Sequence, residues 1–258
     1  MSSALTANQR KNTILDILNQ EAEVRVADLA GQLSVTPATV RSDLAEMEEE
    51  GLLRRTHGGA VSTKKPYFNM SANDRMNINR EEKILIAKAC ANLINDGDTL
   101  MIDSGSSTRY LARELALRNN LTIVTNALQI AEELYYNNSI NVILIGGNLD
   151  LQYQFTYGPD AIAQLGRYRA DKMILAVDGI SAERGLSTYH SLEADVSRQM
   201  IERSNTVITI ADHSKIGREG FFFIVPLDNI HTLITDENNE KRDELNNIKS
   251  AGIDVTEV

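Results

Sequence analysis

Residues 33–44, LSVTPATVRSDL, decide the fold of the first part of this chain. The hydroxyl of Thr36 is suited to accept an unpaired backbone N–H, and Pro37 fits the first helical position, where its missing donor costs nothing. The run therefore predicts a helix that begins at Pro37. Its apolar positions Val40, Leu44 and Met47 recur at helical spacing, so that one face packs inward.

The opposite face of this helix is short, polar and singly basic. Small and hydroxyl side chains let a helix enter the major groove of DNA, and an arginine reaches a guanine edge or a phosphate. Taken alone, the run would also fit the start of an ordinary surface helix. The candidate DNA contacts on it are Thr36, Ala38, Thr39, Arg41 and Ser42.

The flanking sequence favours a DNA-binding module over that simpler interpretation. Apolar residues at helical spacing predict a helix over Gln9–Asn19 and a second over Val26–Leu33, which gives the three helices of a helix-turn-helix. Residues 51–60, GLLRRTHGGA, predict a β-hairpin with basic residues near a glycine turn, as in a wing that meets the phosphate backbone. The wing adds the candidate contacts Arg54, Arg55, His57, Gly58 and Gly59.

These residues resemble the DeoR family of bacterial sugar-operon regulators. The resemblance rests on VT..TVR.DL at 35–44, EGL at 50–52 and RTHGGA at 55–60. It continues beyond the DNA module through short motifs in the same order, and these cover nearly the whole chain: Glu82-Lys83, Ile86-Ala87, Asp103–Thr108, Thr125-Asn126, Gly146-Gly147, Asp178-Gly179 and Asp212–Lys215.

Composition limits the classes of protein that this chain can be. The formal net charge is −10, and the first 65 residues are nearly neutral, so DNA affinity must come from local basic side chains. These are Arg10-Lys11, Arg41, Arg54-Arg55 and Lys64-Lys65, whereas the acidic run of Glu46, Glu48, Glu49 and Glu50 is expected to face solvent or a partner subunit.

The sequence also predicts where the protein works and what it lacks. The single cysteine, Cys90, excludes an intramolecular disulfide and lies in an apolar helical pattern, where a core position is expected. The four histidines have no paired ligand spacing, so we expect no metal. We also expect no cofactor and no catalytic residue, because turnover needs a tuned acid–base pair that the sequence does not indicate. Without a signal peptide or an apolar run of membrane-spanning length, the chain is expected to be cytoplasmic and to have no membrane partner.

A polar, lysine-rich stretch with Pro66 breaks both periodicities and predicts a linker. The predicted organisation is a winged helix-turn-helix over residues 1–62, a linker over 63–80 and a second domain over 81–258. Arg75 and Arg80 lie in the linker, and the sequence does not decide whether they contact the second domain or a neighbouring subunit.

The second domain is predicted to be α/β. Short β-branched runs alternate with helical patterns from Thr99 onward, which indicates a mostly parallel sheet covered on both faces. Strands are expected at 99–103, 121–125, 142–145, 173–177, 207–211 and 233–235. Helices are expected at 108–117, 127–136, 160–165, 192–203 and 240–251.

Ligands of open parallel sheets bind at the carboxyl ends of the strands, and small or polar residues follow five of the predicted strands. The segment 103–108, DSGSST, opens a helix, so its backbone N–H groups and hydroxyls would form an anion site. An ordinary capped turn explains the same segment. The candidate residues are Asp103, Ser104, Gly105, Ser106, Ser107, Thr108, Thr125, Asn126, Gly146, Gly147, Asp178, Gly179, Asp212 and Lys215.

The resemblance implies a ribose-phosphate isomerase or CoA-transferase type of fold for this domain, and a cleft that senses a phosphorylated sugar. It implies that residues 103–108 cradle the phosphate or nearby hydroxyls, that Asp178 and Glu193 accept sugar hydroxyls, and that Lys215 balances the phosphate charge. A helix start at Glu193 and a surface pair of Lys215 with Asp212 are the simpler explanations of those two residues.

The predicted function is therefore a transcriptional regulator. The expected protein is a homo-oligomer, dimer or tetramer, that represses a carbohydrate operon and is released from double-stranded operator DNA by a phosphorylated sugar. The alternative is a sugar-phosphate isomerase-like enzyme with a fused DNA module, because the same carboxylates and lysine suit acid–base chemistry. An architectural DNA-binding protein is a third interpretation, which leaves the acidic second domain without a task.

Overall fold

The structure is a computed structural model that describes residues 10–11, 13–14, 17–18, 23–49, 52–62 and 70–258. These residues form two compact units, which divide between Met70 and Ser71. The described part of the first unit packs around one hydrophobic core, and the second unit has two.

The first unit is a winged helix-turn-helix. Helical residues at 10–11, 13–14 and 17–18 precede β1 (Glu23–Arg25), α1 (Val26–Gln32), α2 (Pro37–Glu49), β2 (Leu53–Arg55) and β3 (Gly59–Ser62). The strands form an antiparallel sheet in the order β1-β3-β2. Part of the helix predicted at Gln9–Asn19, including Leu15, lies outside the described residues, as do Lys64 and Lys65.

Helix α2 begins where the sequence predicts. Thr36 Oγ1 accepts a hydrogen bond from the Thr39 backbone N–H at 3.2 Å, and Pro37 is the first helical residue. Val40, Leu44 and Met47 are at most 1% exposed. They pack with Ile14, Leu18 and other apolar residues of the unit to form its core.

Strand β1 is the element of this unit that the sequence did not predict. It has three residues, two of which are polar and exposed, so it carries no apolar run. It pairs with β3 so closely that a Cβ at position 59 would lie 1.7 Å from the Val24 carbonyl oxygen. Packing inside the sheet therefore explains Gly59, which is buried.

The second unit is an α/β domain with a seven-stranded sheet. Its helices are α3 (Ala72–Met76), α4 (Arg80–Ala91), α5 (Ser106–Leu115), α6 (Leu128–Leu134), α7 (Pro159–Leu165), α8 (Ser191–Glu202) and α9 (Arg242–Ser250). Its strands are β4 (Thr99–Ile102), β5 (Thr122–Thr125), β6 (Asn141–Leu144), β7 (Asn148–Asp150), β8 (Phe155–Tyr157), β9 (Ala170–Ala176), β10 (Gly179–Ser181), β11 (Gly185–Thr188), β12 (Ser204–Ile210), β13 (Phe222–Val225), β14 (Thr232–Thr235) and β15 (Asp254–Glu257).

The main sheet has the order β15-β14-β12-β9-β4-β5-β6, and every pairing in it is parallel. Alternate residues of one strand enter different cores. Leu100 and Ile102 pack with residues of α4, α5 and α6, whereas Met101 packs with residues of α7, α8 and α9. The expected α/β class, with a parallel sheet covered on both faces, is confirmed.

Two small antiparallel sheets lie outside the expectations from the sequence. Strands β10, β11 and β13 form one, and β7 and β8 form the other. Four of these five strands, β7, β8, β10 and β11, hold at most one aliphatic residue each, so they lack the apolar, β-branched run that predicts the strands of the main sheet.

Part of the predicted linker belongs to the second unit. Ser71 caps α3, because its hydroxyl accepts from Asp74 N at 3.2 Å and the Asp74 carboxylate accepts from Ser71 N at 3.1 Å. The Ala72 N–H donates to the Gln152 carbonyl at 3.1 Å, and the Tyr110 hydroxyl donates to the Met76 carbonyl at 3.0 Å. Residues 71–80 therefore belong to the second unit, whereas the sequence predicted that this unit begins at residue 81.

Candidate functional site

The first unit presents the polar face of α2 to solvent. Thr36, Ala38, Arg41 and Ser42 are exposed, and Thr39 is half-buried. The hydroxyls of Thr36 and Thr39 lie 2.9 Å apart and bond to each other, so the cap is part of this surface. The wing adds exposed Arg54, Arg55, His57 and Gly58, whereas Gly59 is buried.

Two basic side chains at the start of this unit are held in ion pairs by acidic residues of α2. Arg10 holds both carboxylate oxygens of Asp43, at 2.8 and 2.9 Å, and Lys11 pairs with Glu46 at 3.0 Å. Glu46 and Glu49 are exposed, as the sequence predicts for the acidic run, and Glu46 and Glu48 also have basic partners.

Glu48 positions the wing. Its carboxylate accepts from the backbone N–H and the Nε of Arg55 at 2.8 and 2.7 Å, and these bonds lower the pKa of Glu48. Arg41 and Arg54 are exposed and form no ion pair among the described residues. The side chains of Arg41 on α2 and Arg54 on the wing are therefore accessible to an anion from outside the unit.

The second unit has an open cleft at the carboxyl ends of its strands. Its lining comes from α3, from the turn between β4 and α5, from the start of α6, from the segment between β7 and β8, and from α8. The lining residues are Ala72, Arg75, Ser104, Gly105, Ser106, Ala127, Gln129, Ile130, Tyr153, Gln154 and Glu193.

A buried carboxylate cluster lies behind this lining. Asp178, which follows β9, accepts from Arg75 Nη1 at 3.2 Å, from Thr188 Oγ1 at 3.1 Å and from Tyr189 N at 3.0 Å. Burial opposes the ionisation of Asp178, but the charges of Arg75 and Lys215 hold its pKa below the usual range.

Glu193 is the carboxylate of this cluster that reaches the cleft. It lies within hydrogen-bond distance of Ser104 Oγ at 3.1 Å and of Thr188 Oγ1 at 2.6 Å. Burial and the neighbouring charge of Asp178 raise the pKa of Glu193 to about 7. The helix dipole is the simpler explanation of Glu193 from the sequence, whereas the structure connects this residue to two hydroxyls and a second carboxylate.

The segment 103–108 forms the turn that the sequence predicts. Asp103 Oδ1 accepts from Ala176 N at 3.0 Å, and burial raises the pKa of Asp103 well above its usual value. A Cβ at position 105 would lie 2.6 Å from the Ala176 Cβ, so only glycine lets the turn approach β9 this closely. Ser104, Gly105 and Ser106 line the cleft, whereas Ser107 and Thr108 are buried beneath it.

A second charged cluster follows β12. Lys215 is 3% exposed, so it is not the surface partner of Asp212 that the simpler explanation assumed. Burial lowers the pKa of Lys215 to about 8. Asp212 accepts from Asn79 Nδ2 at 2.7 Å and from Ser214 Oγ at 2.5 Å, and its Oδ2 lies 3.9 Å from Lys83 Nζ. Lys215 and Arg75 flank Asp178 as its cationic neighbours.

The remaining candidate residues pack against backbone near the strand ends. Thr125 Oγ1 donates to the Ile102 carbonyl, and Asn126 Nδ2 donates to the Thr156 carbonyl. Gly146 N donates to Gln164, and a Cβ on Gly147 or Gly179 would meet the carbonyl oxygen of Tyr157 or Arg218. None of these five residues is among the residues of the described chain that line the cleft.

Arg75 is the main site residue that the sequence does not predict. It is 9% exposed, pairs with Asp178 and stacks over the Tyr153 ring at 5.0 Å. A local signal for its helix exists, because Ser71 and Asp74 form the S-x-x-D pattern of a capping box. Contact with a residue 103 positions away has no local signal.

Lys83 and Asn79 hold the segment that carries Arg75. Lys83 Nζ donates to the carbonyl oxygens of Arg75 and Ile78 at 2.9 and 2.6 Å, at the carboxyl end of α3. Asn79 has a left-handed backbone, with φ of 47°, and bonds to Asp212. The Arg75–Asp178 contact is thus supported from α4 and from the end of β12.

The described residues contain no group of three or more His, Cys, Asp or Glu placed to hold a metal ion. None of their helices combines the length and the apolar composition that crossing a bilayer requires.

Among solved structures, ribose 5-phosphate isomerase A from Methanocaldococcus jannaschii aligns over 53% of this chain and 54% of that chain, with 16% identity and a TM-score of 0.41.

Curated relatives are closer in sequence. The transcriptional repressor AccR of Agrobacterium fabrum is 35% identical over 90% of both chains. The repressor GlcR of Bacillus subtilis is 34% identical over 88% of both chains, and the glycerol-3-phosphate regulon repressor of Escherichia coli K12 is 33% identical over 88% of this chain and 90% of that protein. Such relatives are named for regulation, which favours a regulator over the isomerase-like enzyme.

Family models cover both units. A model of the DeoR-like helix-turn-helix domain matches residues 10–66, and a model of the DeoR C-terminal sensor domain matches residues 78–237. A winged helix-turn-helix followed by a parallel α/β domain agrees with this division. The chain belongs to the DeoR family of transcriptional regulators.

Proposed function

We propose that this protein represses an operon of carbohydrate metabolism and leaves its operator when the cleft of the second unit binds a small phosphorylated sugar or polyol. DNA binding is assigned to the exposed face of α2 and to the wing. Three relatives named as repressors, one of them for the glycerol-3-phosphate regulon, support repression and this class of effector.

The position of Arg75 is the main observation that supports a phosphorylated effector. This guanidinium lines the same cleft as the turn of Ser104, Gly105 and Ser106 at the start of α5. Backbone N–H groups at a helix start and a guanidinium both favour a phosphate. Glu193 and Gln129 line the cleft beside them and offer hydrogen-bonding groups to hydroxyls.

Charge balance supports the same assignment. Arg75 is paired with Asp178 at 3.2 Å, so a phosphate that enters the cleft competes with this carboxylate for the guanidinium. Lys215 next to Asp178 would then balance the carboxylate charge. We therefore assign Lys215 to indirect charge balance and Arg75 to direct phosphate contact.

The test is isothermal titration calorimetry of the full chain with matched pairs of ligands. Glucose 6-phosphate, fructose 1-phosphate, fructose 6-phosphate, ribose 5-phosphate and glycerol 3-phosphate would be compared with the same compounds lacking phosphate. We expect one phosphorylated compound to bind and its unphosphorylated partner to bind at least tenfold more weakly, since a charged hydrogen bond contributes about 1.5–3 kcal/mol.

Two variants make this test specific. Arg75→Ala should remove most of the preference for the phosphorylated compound, whereas Arg113→Ala, which alters an exposed arginine paired with Glu133, should leave it unchanged. Equal binding of the phosphorylated and unphosphorylated members of every pair would contradict the proposal.

We also propose that the protein acts as a homo-oligomer. Two or more recognition helices on repeated half-sites raise affinity through effective concentration. Analytical ultracentrifugation should find a dimer or tetramer at the concentrations at which operator binding occurs, and a monomer bound to a single half-site would contradict this part.

A further inference from the structure

Thr188 faces two carboxylates with one hydroxyl group. Its Oγ1 lies 2.6 Å from Glu193 Oε2 and 3.1 Å from Asp178 Oδ2. A threonine hydroxyl has one proton, and an ionised carboxylate only accepts. Both contacts are full two-centre hydrogen bonds only if one of the two carboxyl groups carries a proton and donates it to the threonine oxygen.

The other partners of the two groups locate this proton. Asp178 accepts from the guanidinium of Arg75 and from the Tyr189 N–H, which stabilise its anion. The remaining hydrogen bond of Glu193 is with the neutral hydroxyl of Ser104. Glu193 is therefore the group that is protonated, and its raised pKa of about 7 agrees with the geometry.

We propose that Glu193 is a neutral carboxylic acid in the ligand-free protein, donates to Thr188, which donates to Asp178, and thereby makes the affinity of the cleft for an anion depend on a bound proton. The second part rests on the proposed effector site. Glu193 lines the cleft beside Arg75, so loss of its proton would place a second negative charge where the phosphate is to bind.

Several other titratable groups surround Glu193 and Asp178 and affect the protonation of these two carboxyl groups. Asp103 faces it from the end of β4, Tyr153 from the segment between β7 and β8, and His190 from the residue before α8. Burial raises the pKa values of Asp103 and Tyr153 and lowers that of His190, so all three favour their neutral forms. The charged neighbours are Arg75, Asp178 and Lys215.

The protonation state can be measured without any ligand. Infrared difference spectra of the full chain between pH 5.5 and 8.5 should show a carboxylic acid band that ionises near pH 7. The band should be absent in Glu193→Gln and present in Glu202→Gln, which alters an exposed glutamate on the same helix. Identical carboxyl bands in the wild type and Glu193→Gln would overturn the proposal.

A second variant keeps this test decisive if Glu193→Gln fails to fold. Asp103→Asn removes the other buried acid whose pKa is raised in this cluster, so a carboxylic acid band that persists in it belongs to Glu193. Loss of every such band in Asp103→Asn would overturn the proposal as well.

The link to ligand binding is tested with inorganic sulfate and phosphate as probes, because sulfate does not titrate in this range. Sulfate affinity of the wild type should fall about fourfold between pH 5.5 and 7.5, below the range in which the buried Lys215 loses most of its charge, and that of Glu193→Gln should stay within about 1.5-fold. An equal fall in both proteins would overturn the coupling. If neither probe nor any sugar phosphate binds, the proposed effector site fails, and the infrared result still decides the state of Glu193.

Discussion

Single side chains decide which contacts the first unit can make with DNA. Arg10 and Lys11 are in ion pairs with Asp43 and Glu46, so they hold the module together rather than reach outward. Arg41 lies on the exposed face of α2 without such a partner among the described residues. At the scale of the residue, it is the strongest candidate for reading a base.

Replacing Arg41 tests this assignment. If Arg41 reads a guanine edge, Arg41→Ala should weaken operator binding by about 1–3 kcal/mol and relax the preference at one base-pair position. Anisotropy titrations on operator variants with one substituted base pair would measure both effects. The control Arg41→Lys retains the charge and loses the two-pronged contact. A uniform loss on every DNA sequence, restored by lysine, would instead make Arg41 a phosphate contact.

Glu193 gives the second unit a predictable pH dependence. Its pKa is raised from 4.5 to about 7 in the folded chain. The folded state therefore binds a proton more tightly than the unfolded state, so this stabilisation is complete below about pH 4.5 and is lost as the pH rises through 7.

Urea unfolding of the full chain at pH 5, 6, 7 and 8 checks this dependence. The wild type should lose more stability than Glu193→Gln between pH 5 and 8, and Glu202→Gln should behave as the wild type. A wild-type slope that equals the slope of Glu193→Gln would show that Glu193 does not bind the proton in the folded chain.

At the scale of elements, the cleft depends on a short helix held by a buried lysine. Helix α3 has five residues, too few to be stable alone. Its capping box fixes its first turn, and Lys83 binds carbonyls at its carboxyl end. The position of Arg75 in the cleft follows from these contacts.

Lys83→Met should release α3. Buried carbonyl oxygens that lose a donor cost about 1–3 kcal/mol, so the second unit should be less stable by about that amount. Affinity for the phosphorylated effector should fall along with it. Calorimetric unfolding and ligand titration would measure the two effects, with Lys88→Met on the exposed side of α4 as the control. Ligand affinity equal to that of the wild type would show that Arg75 does not need this support.

Gly105 permits a second test of an element, the turn between β4 and α5. Gly105→Ala places a methyl group 2.6 Å from the Ala176 Cβ and should displace the turn, which lowers effector affinity. The double variant Gly105→Ala with Ala176→Gly removes the clashing atom and should recover part of the affinity. If the single variant binds as the wild type does, the backbone of this turn does not contact the ligand.

Local sequence patterns predict some of the helices and strands and miss others. Helix α2 was predictable because Val40, Leu44 and Met47 recur at helical spacing. Six strands of the main sheet were predictable because buried parallel strands are short β-branched runs. Strands β1, β7, β8, β10, β11 and β15 were missed because each holds at most one aliphatic residue, and β13 was missed although its sequence, FFIV, is apolar.

The candidate site was predictable only in part, for a similar reason. Ser104 and Glu193 follow a strand and start a helix, positions that a local pattern reveals. Arg75 and Thr188 reach Asp178 through tertiary folding, and Lys83 reaches carbonyls in a segment that resembles a linker. Contacts that depend on the placement of a whole helix against a sheet leave no periodic trace in the sequence.

At the scale of the whole molecule, the chain is a regulator with a DNA-binding unit and a sensor unit, which are joined near residue 70. Helix α3, which carries Arg75, is the first element of the sensor unit after that division. We propose that an effector that separates Arg75 from Asp178 changes the position of α3 and favours a state with lower DNA affinity. A hundredfold release requires a coupling of about 2.7 kcal/mol between the two sites.

The most direct test of effector-controlled DNA binding is fluorescence anisotropy of the full chain on DNA from upstream of its own gene. It would be measured at fixed salt with each phosphorylated compound named for the calorimetric test. Binding to this DNA should be specific, and one phosphorylated compound should weaken it by a large factor. Because coupling is reciprocal, the same DNA should weaken binding of that compound by the same factor. Specific DNA binding that no compound changes, or effector affinity that is equal with and without DNA, would contradict the account.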